Sequence, residues 1–352
     1  MIPEDLKQKK LAHARSVAAE FTDDPGVLGV YLSGSLQAGL GSSASDVDLF
    51  VVGETEPDGA EARQFLSGDL RVDVEFRRPA QIEAMMSALG SYTVSREDQS
   101  QHRLDRSLLD DAVRLKIGAD LKRHLLLEQA RTRIDDTTLR RVLIGTYLDE
   151  VRNAQEDAVG VLRDRDFQSA WLSSFQLLMA AFQAFLAGCG ELYIGGKWTW
   201  QKLSRVAERD ELPLRLFRTV LLGEGLGPEE SESLVKDRVH LAQALAVAAV
   251  TRGWDAPSAA SWTAWRLGST GVHRRLEYSA FRYGQELLLE DSQDFSVRLS
   301  VPGMELFGYC DSRDRRAVVA DMARRLDPAE DQSPAVEQYL DMLIKLKVVT
   351  PE

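Results

Sequence analysis

Residues 30–52 read VYLSGSLQAGLGSSASDVDLFVV. An apolar, β-branched run from Val27 to Leu32 stops at Gly34-Ser35, and Leu36 to Leu40 then has room for a helical turn or two. Gly41 to Ser45 is loop by composition, after which Val47, Leu49, Phe50, Val51 and Val52 form a second strand. Asp46 and Asp48 stand at its mouth. On a strand, period two puts both on one face with Cα atoms about 6.6 Å apart. Carboxylates so crowded repel and tend to hold protons unless a cation neutralises them. Leu70 to Phe76, LRVDVEF, alternates as a third strand, and its Asp73 can add a third carboxylate; Glu75 shares that face and competes for the role. Three such acids can hold two Mg²⁺ for in-line phosphoryl or nucleotidyl transfer, one ion activating the attacking oxygen and the other stabilising the leaving one. Gly34 and Ser35 supply the complementary half. Glycine lets backbone approach a phosphate, and a helix start offers N–H groups to a triphosphate. Ser35 can also cap the short helix, a role compatible with phosphate contact.

Competing chemistries lack their residues. Gly34 and Gly39 have the spacing of a Walker loop, but Leu40 stands where that motif needs Lys. There is no HExxH, no GxSxG and no GxGxxG after a strand, and the histidines at 13, 102, 124, 240 and 273 are scattered. His102 is a weak candidate for a general base. The net charge of −12, from 43 Lys and Arg against 55 Asp and Glu, disfavours long nucleic acid as a partner. Cys189 and Cys310 are far apart and form no CxxC or dense disulfide pattern, which fits a reducing, cytoplasmic setting. MIPEDLKQKK has no apolar region after its charges, and the apolar run Trp171–Ala187 is interrupted by Ser173, Ser174, Gln176 and Gln183, so neither a secretory signal nor a membrane span is expected.

Outward from the central stretch, residues 4–21 have the spacing of an amphipathic helix, ended by Asp24-Pro25-Gly26. Ala60 to Leu66 is expected as a short helix, making the start of the chain α/β. From about residue 80 to 265 the periodicity is helical, with helices expected over Leu108–His124, Thr138–Leu162, Ala170–Ala187, Lys202–Glu208 and Ser231–Ala249 and breaks at 188–196 and 223–227. Residues 295–310, FSVRLSVPGMELFGYC, suggest two strands about a Pro-Gly turn, and Val336, Tyr339, Leu340, Leu343 and Leu346 mark a closing helix. The expected division is a catalytic domain over 1–90, a helical domain over 91–268 and a small C-terminal module over 269–352.

The order of strand, Gly34-Ser35, ten intervening residues, Asp46-Val47-Asp48, strand and then Asp73 resembles the polymerase-β-like nucleotidyltransferase superfamily. The likeness covers about residues 25–78. The last 80 or so residues have no counterpart in the minimal enzymes of that superfamily, and their strand-turn-strand then helix pattern resembles a small α+β, winged-helix-like or peptide-recognising module. The likeness itself implies an α/β (α+β) nucleotidyltransferase core with a short mixed sheet, followed by a mostly α-helical domain. It further implies transfer of a nucleoside monophosphate, AMP from ATP, to a hydroxyl or phosphate of a small molecule. In that scheme Asp46 and Asp48 ligate Mg²⁺, Asp73 is the third ligand or the base, and Gly34 and Ser35 lie at the triphosphate. The interval of 24 residues between Asp48 and Asp73 is similar to the minimal and aminoglycoside-modifying branches, in which a helical domain closes over acceptor and nucleotide. The segment 195–200, GGKWTW, is similar to lysine-tryptophan segments of some of those domains, which makes Lys197 a candidate phosphate ligand. Alternatives are a protein, peptide or RNA acceptor, or a non-catalytic nucleotide sensor of the antitoxin type.

Trp198 and Trp200 suit buried packing or stacking on a ring. Arg274, Arg275 and Arg282 suit either a groove or one charged helix face.

Overall fold

The computed structural model describes residues 2–54, 62–67, 70–93, 104–207, 212–223, 231–265, 271–291, 295–327 and 329–351. His102, Ala60, Glu208 and residues 224–227, which entered the expectations above, lie outside the described residues. Packing gathers the chain into two compact units. The first takes residues from 2–92, 104–139 and 192–198; the second takes 140–191 and those from 199 onward. Residues 104–139, expected in the helical domain, therefore pack with the first unit.

The first unit runs α1 (Glu4–Thr22), β1 (Val27–Ser33), α2 (Gly34–Gln37), β2 (Val47–Gly53), β3 (Ala62–Ser67), β4 (Leu70–Arg77), α3 (Pro79–Gly90), α4 (Arg106–Ile117), β5 (Ala119–Lys122) and α5 (Leu125–Arg133). Its strands form one mixed sheet in the order β3-β4-β2-β1-β5, with β2 and β4 parallel and the other neighbours antiparallel. Alternation explains the two faces. Val30, Leu32, Leu49, Val51, Val72, Val74 and Phe76 point into a core closed by Ala14, Val17, Ala18 and Phe21 of α1. Burying each large apolar side chain there is worth about 1.5–3 kcal/mol. The intervening residues, Tyr31, Phe50, Asp48, Asp73 and Glu75, take the opposite face. There Tyr31 and Phe50 stack at 5.0 Å, with the guanidinium groups of Arg77 and Arg114 at 5.4 and 5.6 Å from the Phe50 ring.

Two expected helices are corrected in this unit. Ala62–Ser67 is strand β3 rather than part of a helix: β4 leaves a ladder open, Gln64 pairs with Asp73, and Phe65 turns inward against the core. The helix expected through His124 ends at Ile117, because Gly118 takes an extended conformation and the next four residues become β5 on the free side of β1.

In the second unit follow α6 (Asp136–Arg163, whose first turn belongs to the first unit), α7 (Phe167–Gly188), α8 (Thr199–Val206), α9 (Leu212–Leu216) and α10 (Ser231–Thr251). Then come β6 (Val272–Arg274), β7 (Ser279–Tyr283), β8 (Glu286–Glu290), β9 (Ser296–Leu299), α11 (Val301–Tyr309), β10 (Asp311–Arg313), α12 (Arg315–Leu326), α13 (Ser333–Lys345) and β11 (Val349–Thr350). Strands β7-β8-β9 form a meander, and β10-β6-β11 a second small sheet. The second strand expected in 295–310 is helix α11. Ser300 accepts from the Gly303 amide at 3.2 Å, Pro302 suits a first turn, and Met304, Leu306 and Phe307 are all buried. Helix α7 is long and apolar enough to cross a bilayer, but most of it is buried, packed against α10 as a core helix. Arg274 and Arg282 belong to strands and are buried, which excludes a solvated helix face for that cluster.

The described residues thus form an α/β core with a short mixed sheet, a mostly helical part and small C-terminal sheets with helices.

Candidate active site

The site begins at the end of β1. Ser33 pairs with Asp48 across the β1–β2 ladder, and Asp48 pairs in register with Asp73 across the parallel β2–β4 ladder. Neighbouring strands lie about 4.8 Å apart, so Asp48 and Asp73 stand side by side on the same face. Asp46 precedes β2 and lies within hydrogen-bonding reach of Asp73. Side-chain exposure is 25% for Asp46, 16% for Asp48 and 32% for Asp73, so Asp48 is the deepest of the three.

Gly34 closes the turn at φ +79°, and a Cβ built on it would meet Asp48 Oδ2 at 1.7 Å. Only glycine fits this contact, because both the left-handed backbone and the neighbouring carboxylate exclude a side chain. The turn is tightened by its own backbone: the Ala38 amide donates to Gly34 O at 2.9 Å, and the Leu40 and Gly41 amides to Ser35 O at 2.8 and 3.1 Å. Ser35 is 6% exposed and Gly34 is buried, whereas Gln37 and Gly39 of the same turn are exposed.

Arginines neutralise the acids. Arg71, two residues before Asp73 on β4, donates to Asp46 and reaches Asp73 with Nε at 3.7 Å. Arg114, on α4, donates through Nη1 to Asp48 Oδ1 at 2.8 Å and through Nε to Asp110 Oδ2 at 2.5 Å. Its backbone carbonyl accepts from Ser33 Oγ at 2.6 Å, which ties α4 to the end of β1. Glu75 is held by Arg77 at 2.5 Å, and Arg77 also grips Asp111 at 2.8 Å. Asp73, not Glu75, is therefore the β4 acid next to the other two.

These contacts move the proton affinities apart. Burial pushes Asp48 above the usual carboxylate range; Arg114 opposes this, while the charges of Asp46 and Glu75 add to it. Asp73 is raised as well, by burial and then by the hydrogen bond and charge of Asp46, against the hydrogen bond from Gln64. For Asp46 burial pushes upward, but the hydrogen bonds of Arg71 and Asp73 together with the Arg71 charge outweigh it and leave the carboxyl below its ordinary value. Within this pair Asp46 is thus the more acidic carboxyl and Asp73 the more basic one.

Among the described residues, no three metal-ligating side chains are gathered around one point. Asp46 and Asp73 face each other, and Asp48 turns to Arg114. The donor set is nonetheless of hard carboxylate oxygens, crowded enough that two of the three resist ionisation, which suits a hard divalent cation.

Lys197 lies exposed in a 3₁₀ turn, Gly196–Trp198, with its ammonium 5.2 Å from the Trp198 ring; among the described residues it makes no ion pair. Trp198 is buried, and Trp200 is 39% exposed with its ring 5.7 Å from that of Phe217. Four residues at the site were not singled out from the sequence. Arg71 lay in plain view in LRVDVEF, but Arg114 is 66 residues from Asp48 and had no motif. Lys10 on α1 is buried and donates to the Ser45 carbonyl, fixing the loop before Asp46. Tyr193 has its phenol pushed up to about 12 by burial; Arg114 opposes, and Asp48, Asp110 and Asp46 add, which puts this ring within electrostatic reach of the acids.

The family model for the nucleotidyltransferase domain matches residues 14–96, a span that includes Gly34, Ser35 and all three acids. Among solved structures, a nucleotidyltransferase-like protein from Exiguobacterium sibiricum is similar at 14% identity, over 69% of this chain and 80% of that one, with a TM-score of 0.35. No curated protein matches the chain.

Proposed function

We propose that this chain, whose residues 14–96 are a nucleotidyltransferase domain of the polymerase-β-like superfamily, transfers AMP from ATP to a hydroxyl or phosphate of a small molecule and releases pyrophosphate. The observation that carries the reading is the register Ser33–Asp48–Asp73, with Asp46 against Asp73 and Gly34 against Asp48. When bound, two Mg²⁺ held by Asp46, Asp48 and Asp73 would neutralise the triphosphate and acidify the attacking hydroxyl.

The rest falls to the chain's own groups. Asp73, more basic than an ordinary aspartate, is suited to complete the site and take the acceptor's proton. The Gly34–Ser35 backbone is assigned to the leaving pyrophosphate, and Lys197 to the nucleotide phosphates. Arg114 keeps Asp48 oriented from one side, while Arg71 occupies the oxygens of Asp46 and Asp73 from the other, where a cation must compete with it. Most of the rate would come from positioning and charge neutralisation.

The test uses ATP labelled at the α-phosphate, Mg²⁺ and a cell extract split by size. Label is expected in the small-compound fraction, and label on polypeptide or RNA instead would replace the acceptor class. Tight nucleotide binding with no transfer to any fraction would favour a sensor and overturn the enzymatic reading.

A further inference from the structure

The second unit contains an open pocket of about 220 Å³ lined by Lys236 and His240 of α10, by His273 and Arg274 of β6, and by Arg275 and Glu277 just after it. None of these residues belongs to the first unit. Arg274 is fully buried. Its guanidinium donates to Gly308 O, to His240 O at 3.0 Å and to Gln243 Oε1 at 3.4 Å, and among the described residues no carboxylate lies within ion-pair distance of it. Asp311 opposes the effect of burial on this cation from beyond ion-pair distance, but it is itself bonded to Arg313, and a buried cation without a direct ion pair is expensive. Its field is felt next door: His240 is pushed down to about 3, first by burial and then by the charges of Arg274 and His273. The cations at the rim are only partly offset. Lys236 pairs with Glu232 at 2.7 Å, and Arg275 with Glu277 at 3.1 Å, yet Glu277 is shared with Arg163 at 2.6 Å. Lys236, Arg275, Arg163 and Arg274 thus stand against Glu232, Glu277 and the Asp311 that Arg313 also holds, an excess of positive charge before either histidine gains a proton.

A larger pocket of about 530 Å³, around Arg313, Arg324 and Arg325, is the natural rival. There the charges are more nearly balanced: Arg313 pairs with Asp311 and Asp321, Arg324 with Asp321, and Arg325 with a Glu305 that Arg252 also holds. The larger excess is in the smaller pocket, whose own lining sets Lys236, Arg274 and Arg275 against Glu277 alone.

We propose that the pocket over Arg274 binds a phosphoryl-type dianion, either free phosphate or the terminal phosphate of an ester, between Lys236 and Arg275. The two side chains that would touch the anion are 38% and 40% exposed and keep N–H donors beyond those bonded to Glu232 and Glu277. Arg274 lies beneath as a fixed field rather than a direct donor.

The full chain is titrated calorimetrically with inorganic phosphate and, separately, with phenyl phosphate, at constant ionic strength in chloride. Saturable binding is expected, weakened at least tenfold by Arg275→Gln and by Lys236→Gln and unchanged in the Asp46→Asn, Asp48→Asn double variant. Both rim side chains are exposed, so their variants keep the fold, and a thermal melt confirms it. Phosphate bound better than the ester identifies a free anion, and the reverse an esterified ligand. Absence of saturable binding for both, binding indifferent to the rim variants, or binding lost in the aspartate variant overturns the proposal.

Discussion

A methyl group on residue 34 would lie 1.7 Å from an oxygen of Asp48, on a backbone already at φ +79°. Gly34→Ala must therefore both strain the turn, at about 1–2 kcal/mol, and displace the deepest of the three carboxylates. The expected outcome is a folded protein whose nucleotide transfer falls at least about a hundredfold, the scale that misplacement by about 1 Å produces; kinetics and a thermal melt check it, and retained activity would detach Gly34 from the site. A second residue makes a prediction about pH. Lys202 is 1% exposed, donates to Gln183 Oε1 at 2.6 Å, and is lowered from 10.5 to about 8 by burial, with Arg205 adding and Glu191 opposing. Its folded pKa lies below its unfolded one, so the native state carries the full penalty below pH 8 and sheds it as pH rises toward 10.5. Urea unfolding should show the native chain gaining about 2–3 kcal/mol relative to Lys202→Met between pH 7 and pH 10. A constant difference between the two would show that Lys202 titrates normally.

Among elements, α4 is the one the site depends on without any motif to announce it. It begins at a sequence-legible cap, Asp105 accepting from the Ser107 amide at 2.7 Å, but its function lies in Arg114, which binds Asp48 and Asp110 while resting over Phe50. Arg114→Met should lose about 2–3 kcal/mol in urea unfolding, and Arg114→Lys should restore only part of it, because an ammonium cannot reproduce the two-directional fork. A change under about 0.5 kcal/mol would reduce the contact to a surface pair. The strands that bear Asp48 and Asp73 could be read from sequence because hydrophobic-acid-hydrophobic alternation in VDLFVV and LRVDVEF leaves one way to place them. Elements whose form depends on a neighbour could not. Ala62–Ser67 is a strand because β4 offers it an edge, Ala119–Lys122 because β1 does, and Val301–Tyr309 is a helix because Ser300 and Pro302 start one where a turn was expected.

At the scale of the molecule, the chain does not divide where composition shifts. The first unit recruits residues 104–139 and then Leu192–Trp198, a return of the chain that periodicity cannot reveal and that brings Tyr193 within the field of the acids. The three carboxylates and the glycine turn were legible, since spacing and alternation encode them locally. Arg114, which neutralises Asp48, was not, since an ion pair between distant elements leaves no local pattern. The proposed function requires Asp46, Asp48 and Asp73 to serve together as a cation cradle. Binding of Mn²⁺ in the presence of a non-hydrolysable ATP analogue, followed by electron paramagnetic resonance, tests this most directly. The native chain is expected to bind the ion saturably, and Asp46→Asn with Asp48→Asn to weaken it at least about a hundredfold while the protein stays folded. Undiminished Mn²⁺ binding by that variant, or no nucleotide-dependent binding by the native chain, would contradict it.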